Sequence, residues 1–202
     1  MTSEGQRTAE RNDAAREPHP VRHTQHGEIE PPPHNLSLQS TPFIGREAEL
    51  AEIAGLLDEP DCRLLTLAGP GGMGKTRLAL RAAERIVETY TRHGKFTQGV
   101  FFVPLEALRD ATNIVSSIIS VLADEIGVPL HASAPLQEQL LDFLRDKAIL
   151  LVLDNFEHLI SGATLLSAIL RRAPAVKLLV TSRESLDLQE EWFYSIGGMS
   201  LP

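Results

Sequence analysis

Leu64-Leu65-Thr66-Leu67-Ala68-Gly69-Pro70-Gly71-Gly72-Met73-Gly74-Lys75-Thr76 is the stretch that decides the fold of this chain. From Gly69 onward it completes the pattern G-x-x-x-x-G-K-[ST], the loop that wraps phosphates. The apolar run before it reads as a strand, and a helix-patterned segment begins near Gly74. A strand then delivers the loop, the glycines bare its backbone N–H groups, and the helix aims its positive end at the same point. Those N–H groups can cradle α- and β-phosphates. Lys75 can reach the β- and γ-phosphates, and Thr76 can offer its hydroxyl to Mg²⁺. The stretch therefore predicts binding of a nucleoside di- or triphosphate by Gly69, Pro70, Gly71, Gly72, Met73, Gly74, Lys75, Thr76 and the adjoining Arg77.

The rest of the composition narrows the class. With 202 residues, 43% of them hydrophobic, the chain can bury one sizeable core but not two. A net charge of −8 and a pI near 5.4 argue against a dedicated nucleic-acid surface. The single cysteine, Cys62, excludes an internal disulfide framework and reads as a small packed side chain. The N-terminus has no apolar signal region, and no run of uncharged apolar residues is long enough to span a bilayer. These features predict a cytoplasmic protein without a membrane partner.

Residues 1–40 are polar, charged and proline-containing, with Pro31-Pro32-Pro33 and almost no apolar period, and read as a disordered tail. His19, His23 and His26 have a spacing that would suit a metal on a helix, but Pro18 and Pro20 argue against the helix. Residues 41–202 read as the nucleotide-binding domain, with order beginning near Phe43. Helices are expected over 48–57, 75–90, 114–126, 135–145 and 159–172, and strands over 63–68, 99–105, 148–153, 176–181 and 192–196. Strands alternating with helices of this length predict a three-layer α/β domain with a mainly parallel sheet of five strands.

Two further stretches carry chemistry. Ile149-Leu150-Leu151-Val152-Leu153-Asp154 is a run of aliphatics ending in one carboxylate, which places Asp154 at the C-terminal edge of the sheet. There it can hold Mg²⁺, or alternatively cap the helix that follows. The next residue, Asn155, can position water but cannot accept its proton. Glu157 is the substitute candidate for a catalytic base; its bland alternative is a first-turn acid that favours the helix dipole. Hydrolysis is accordingly expected to be slow. The fourth strand ends in Thr181-Ser182-Arg183-Glu184, so Arg183 emerges at the same edge and can meet a γ-phosphate. Its alternative is an ion pair with Glu184 or Glu190.

Together these residues resemble the STAND group of signal-transduction NTPases. The nearest likeness is to the NB-ARC-like ATPase modules of bacterial transcriptional regulators of the SARP and large LuxR types. The likeness runs from about Thr41 to Pro202 and rests on Phe43-Ile44-Gly45-Arg46-Glu47, the loop at 65–76, the run 151–158 and the run 179–184. The resemblance implies that Ile44, Gly45 and Arg46 approach the adenine and ribose, and that Arg183 is the sensor-1 arginine. It implies a strand order of 5-1-4-3-2. It also implies an AAA-like nucleotide switch, in which ADP holds a closed state, ATP an open one, and self-association passes the signal on. In such proteins a helical lid and winged helix follow the nucleotide domain, whereas this sequence ends at Leu201-Pro202, with no effector domain before Thr41. The chain is therefore read as a truncated member.

Three functions compete at this point. The first is an ATP/ADP-binding switch module with slow Mg²⁺-dependent hydrolysis, in which Lys75, Asp154, Glu157 and Arg183 serve catalysis and Thr76 and Asp154 hold the metal. The second is a non-catalytic ADP-binding interaction fragment, favoured by Asn155. The third is a small-molecule kinase, for which the 127–147 region offers only Arg145 and Lys147 as lid cations. Direct nucleic-acid contact by this chain is not expected.

Overall fold

Five strands lie in one wholly parallel sheet of order β2-β3-β4-β1-β5: β1 is Leu64–Ala68, β2 Gly99–Pro104, β3 Ile149–Asp154, β4 Lys177–Ser182 and β5 Glu191–Ser195. This is the expected 5-1-4-3-2 order, counted from the other edge. The description comes from a computed structural model and covers residues 30–37, 43, 45–89, 94–132 and 134–197. Helices α1 (Glu47–Asp58) and α2 (Lys75–Glu88) cover one face of the sheet. Helices α3 (Ile114–Ile126), α4 (Leu136–Leu144) and α5 (Ala163–Arg172) cover the other. Among these described residues no helix is long and apolar enough to cross a membrane.

Side-chain alternation explains why both faces are covered. On β3, Ile149, Leu151 and Leu153 enter the core under α3, α4 and α5, while Leu150 and Val152 enter the core under α1 and α2. Leu178 and Val180 of β4 divide from Leu179 in the same way. The middles of such strands are apolar on successive residues because each face needs a helix against it. The edge strand β5 differs, leaving Trp192 and Phe193 exposed.

Polar groups at the N-terminal edge of the sheet are occupied with structure. Arg63 donates to Leu170 O at 2.7 Å and Ala173 O at 2.5 Å, and so closes the C-terminal end of α5. Lys177 donates to Leu57 O at 2.7 Å and Glu59 O at 2.5 Å and does the same for α1. Cations suit helix C-termini, where carbonyls lack intrahelical donors. Burial lowers the Lys177 pKa and raises that of the neighbouring Cys62 thiol, which is packed and fully covered, as its sequence context suggested.

The structure differs from the sequence expectations in two places. The helix expected over 159–172 begins only at Ala163; a 3-10 segment, Phe156–Gly162, precedes it, with Leu159 at φ −120°. The backbone leaves helical geometry at Leu159, and Gly162, at the start of α5, is closely packed: a Cβ there would stand 2.7 Å from Ile114 Cδ1 and 2.9 Å from Ala111 Cβ. The second difference concerns the expected tail. Residues 1–29 and 38–42 lie outside the described residues, but 30–37 run along the free edge of β2. Val100 N donates to Pro33 O at 3.0 Å, and His34 forms a parallel bridge with Val100. The Asn35 amide accepts from Phe102 N at 2.7 Å and donates to Phe102 O at 2.8 Å, so one side chain does the work of a paired backbone unit. An edge strand offers unpaired donors and acceptors that an extended proline-rich segment can take up. Asn35→Ala is expected to cost about 1–3 kcal/mol, since two partly buried hydrogen bonds go and one strand N–H is orphaned. Urea unfolding checks it; an unchanged midpoint would show that 30–37 contributes nothing to stability.

Candidate phosphate-binding site

The loop at 69–74 is tied to the sheet where it leaves β1 and runs into α2 at its other end. Gly69 N donates to Ser182 O at 3.3 Å, and Ile196 N donates to Ala68 O at 2.7 Å. Beyond these anchors Gly72 and Gly74 both take φ +79°, a left-handed conformation that side chains resist. A Cβ at either would meet nothing within 4 Å, so backbone conformation, not crowding, is what demands glycine. Gly74 is the N-cap of α2 and contributes no side-chain cap. The first-turn N–H groups of α2 therefore face the loop without a side-chain acceptor, as an anion site requires.

Lys75 is buried and folds back over the loop, donating from Nζ to Gly69 O at 2.7 Å and Pro70 O at 3.1 Å. Its charge is thus fixed at the loop. Thr76, one residue on, faces the end of β3: its Oγ1 lies 2.8 Å from Asp154 Oδ1 and 3.0 Å from Oδ2. Thr181 on the neighbouring β4 donates from Oγ1 to Asp154 Oδ1 at 2.6 Å and accepts from Asn155 N at 2.9 Å. Thr181 is a site residue that the sequence reading missed. It sits inside an apolar run, and only the β3–β4 pairing brings its hydroxyl to the carboxylate. Asp154 is not the cap of the following helical segment; Asn155 precedes that segment, at φ 63° and ψ 53°.

Asp154 is buried and its partners are two hydroxyls. A buried carboxylate is costly without a cation, and its oxygens with Thr76 Oγ1 form the hard, all-oxygen donor set that Mg²⁺ prefers. These residues fit the metal the loop implies.

Arg183 and Glu157 meet above the loop. Arg183 Nε donates to Glu157 Oε1 at 2.8 Å; the arginine side chain is 66% exposed and the glutamate 17%. The partner is neither Glu184 nor Glu190; the Glu190 carboxylate accepts instead from Ser167 at 3.1 Å. The second oxygen of Glu157, Oε2, is buried with no hydrogen-bond partner among the described residues. Gly71, Gly72, Gly74, Lys75, Thr76, Asn155, Glu157 and Arg183 line one pocket of ≈ 280 Å³.

The other expected contact residues stand outside that pocket. Ile44 lies outside the described residues. Gly45 and Arg46 form a left-handed corner before α1, at φ 80° and 61°, and Arg46 donates to Gly197 O at 3.4 Å. That corner meets the 196–197 segment, where Ile196 O would stand 3.1 Å from a Cβ on Gly69. Arg77 turns to the other side, with its guanidinium 5.8 Å from the Phe43 ring centre. Gly69, Pro70 and Met73 belong to the loop without lining the pocket.

Comparison with known proteins agrees with this geometry. The family model of the AAA ATPase domain matches residues 42–181. An uncharacterized protein of Mycobacterium tuberculosis is 34% identical over 169 residues, covering 83% of this chain and 40% of its own length. A protein of the same organism, provisionally named an HTH-type transcriptional regulator, is 31% identical over 140 residues, which are 69% of this chain and 14% of that protein. The chain thus spans well under half the length of these relatives. Among solved structures, the Aeropyrum pernix ORC1 protein in complex with DNA superposes with TM-score 0.57 at 22% identity, over 77% of this chain and 46% of its own. A STAND protein with a tetratricopeptide repeat sensor from Pyrococcus horikoshii superposes with TM-score 0.50 at 15% identity, over 82% and 25%. At such identities the structures share the fold.

Proposed function

The chain belongs to the AAA ATPase domain family, and we propose that it serves as an adenine-nucleotide switch module that binds ATP or ADP with Mg²⁺ and hydrolyses ATP slowly. The observation that carries this reading is the meeting of Lys75, Thr76 and Asp154 at one end of β1 and β3, under an α2 N-terminus that no side chain caps. The loop N–H groups and Lys75 bind the phosphates, while Thr76 and Asp154 hold the metal, with Thr181 fixing the carboxylate from behind. Bound Mg²⁺ would neutralise phosphate charge as the terminal bond breaks. Arg183 sits at the γ-phosphate end of the pocket. Glu157 is the carboxylate placed to accept a proton from water, since Asn155 cannot. Ile44, Gly45 and Arg46 are assigned to the base and ribose, by resemblance.

Slow turnover suits a timer. The relative provisionally named a transcriptional regulator and the STAND structure support a place in signal transduction; a cytoplasmic location and self-association as output are assigned by resemblance alone. A second reading, an ADP-holding module without hydrolysis, is favoured by one observation: Asn155 occupies the position next to Asp154 where a carboxylate would orient water. Both readings require nucleotide. Denaturing the purified protein is expected to release adenine nucleotide, and calorimetric titration to show ADP binding that weakens at least 10-fold when EDTA removes Mg²⁺. An empty protein that takes up neither nucleotide would overturn both readings; binding without any ATP turnover would select the second.

A further inference from the structure

We propose that the Arg183–Glu157 ion pair is a latch that keeps the Glu157 carboxylate occupied until a triphosphate is bound. The inference rests on the nucleotide-site reading above and adds a regulatory element to it.

Three observations support it. The pair is asymmetric: Arg183 is mostly exposed and engages through Nε alone, while Glu157 is mostly covered. The guanidinium extends over the phosphate loop, with Nη2 and Cζ at 3.7 and 3.8 Å from the position a Cβ on Gly71 would take. Arg183 thus stands between two anionic positions, the carboxylate it holds and the phosphate end of the pocket. Third, Glu157 Oε2 is buried without a partner in a pocket-lining side chain. An orphaned carboxylate oxygen is costly and is found where a water, ion or catalytic role completes it.

Charge decides which anion Arg183 prefers. An exposed arginine–carboxylate pair is weakly held, whereas a planar guanidinium binds phosphate through two parallel N–H donors. A diphosphate ends short of the γ position and leaves Arg183 on Glu157. With a triphosphate present, Arg183 moves to the γ-phosphate and Glu157 is released. While Arg183 Nε sits on Oε1 that oxygen is occupied, and once released it is open to a hydrogen bond from water. The same arginine movement therefore reports the third phosphate and frees the base.

The test compares affinities rather than turnover. Titration calorimetry measures ADP and a non-hydrolysable ATP analogue, each with Mg²⁺, on wild type, Glu157→Gln, Arg183→Ala and the double variant. Glu157→Gln removes the competitor for Arg183, so analogue affinity is expected to rise about 3- to 10-fold, in line with a weak exposed pair, while ADP affinity stays within about 2-fold. In the Arg183→Ala background the same substitution is expected to leave the analogue-to-ADP ratio unchanged. An unaltered ratio in Glu157→Gln would overturn the latch, as would a gain that persists without Arg183, which would be plain relief of repulsion. Wild type that binds ADP with either of those outcomes keeps the nucleotide-site reading and loses only the latch. Wild type that binds neither nucleotide loses both.

Discussion

Lys75→Ala is expected to lower adenine-nucleotide affinity by about 30- to 1000-fold while leaving the fold in place. A charge-assisted hydrogen bond to phosphate contributes roughly 1.5–3 kcal/mol, and the attraction of a fixed cation at 4 Å adds up to about 4 kcal/mol at an effective dielectric of 20. Allowing for overlap, a net loss of about 2–4 kcal/mol corresponds to that range of affinity. The side chain has two tasks, because its ammonium also clasps Gly69 O and Pro70 O. Both carbonyls lie in a surface loop where water can replace the lost donor, so the stability change is expected to stay near 1 kcal/mol. Calorimetric titration with ADP, paired with a thermal melt, separates the effects. Unchanged affinity would mean that phosphate does not bind at this loop, whatever its sequence pattern.

What the sequence disclosed, and what it did not, follows from the range over which each signal acts. The loop, the strand before it and the helix after it are local, so Gly69 to Thr76 could be read directly and the structure has them in that form. Asp154 could be placed at the right edge because a run of buried aliphatics ends on it. The strand order was not available from periodicity; it came from resemblance, and the sheet has it. Thr181 could not be seen, since its significance depends on the pairing of β4 beside β3. The partner of Arg183 was sought along the chain at Glu184 and Glu190, whereas the close carboxylate comes from Glu157, across the strand edge. Asn35 was hidden for a related reason: a lone amide in a proline-rich stretch has no period, and its value lies in the free edge of β2. The helix starts at Ala163 rather than at 159 because the backbone leaves helical geometry at Leu159, and that break leaves no trace in apolar spacing.

Phe156→Ala is the substitution expected to damage the fold most per atom removed near the site. Phe156 is fully buried in the core beneath α3 and α5 and opens the 3-10 segment that carries Glu157. Truncating a buried phenylalanine costs about 3–5 kcal/mol, a third or more of the stability of many single domains. In the chain Phe156 lies between Asn155, in its left-handed turn, and Glu157, which pairs with Arg183, so losing the ring is expected to loosen both. Turnover should therefore fall further than ADP affinity, because Gly69 to Thr76 belong to a different strand and helix. Phe156→Leu keeps most of the volume and is expected to cost less than about 1.5 kcal/mol with activity largely retained. Urea unfolding measures the stabilities, and ADP titration on the folded variants measures the site. If Phe156→Ala lost under about 1 kcal/mol, or if binding and turnover fell together, the ring would not be what ties this core to the sheet edge that carries Glu157.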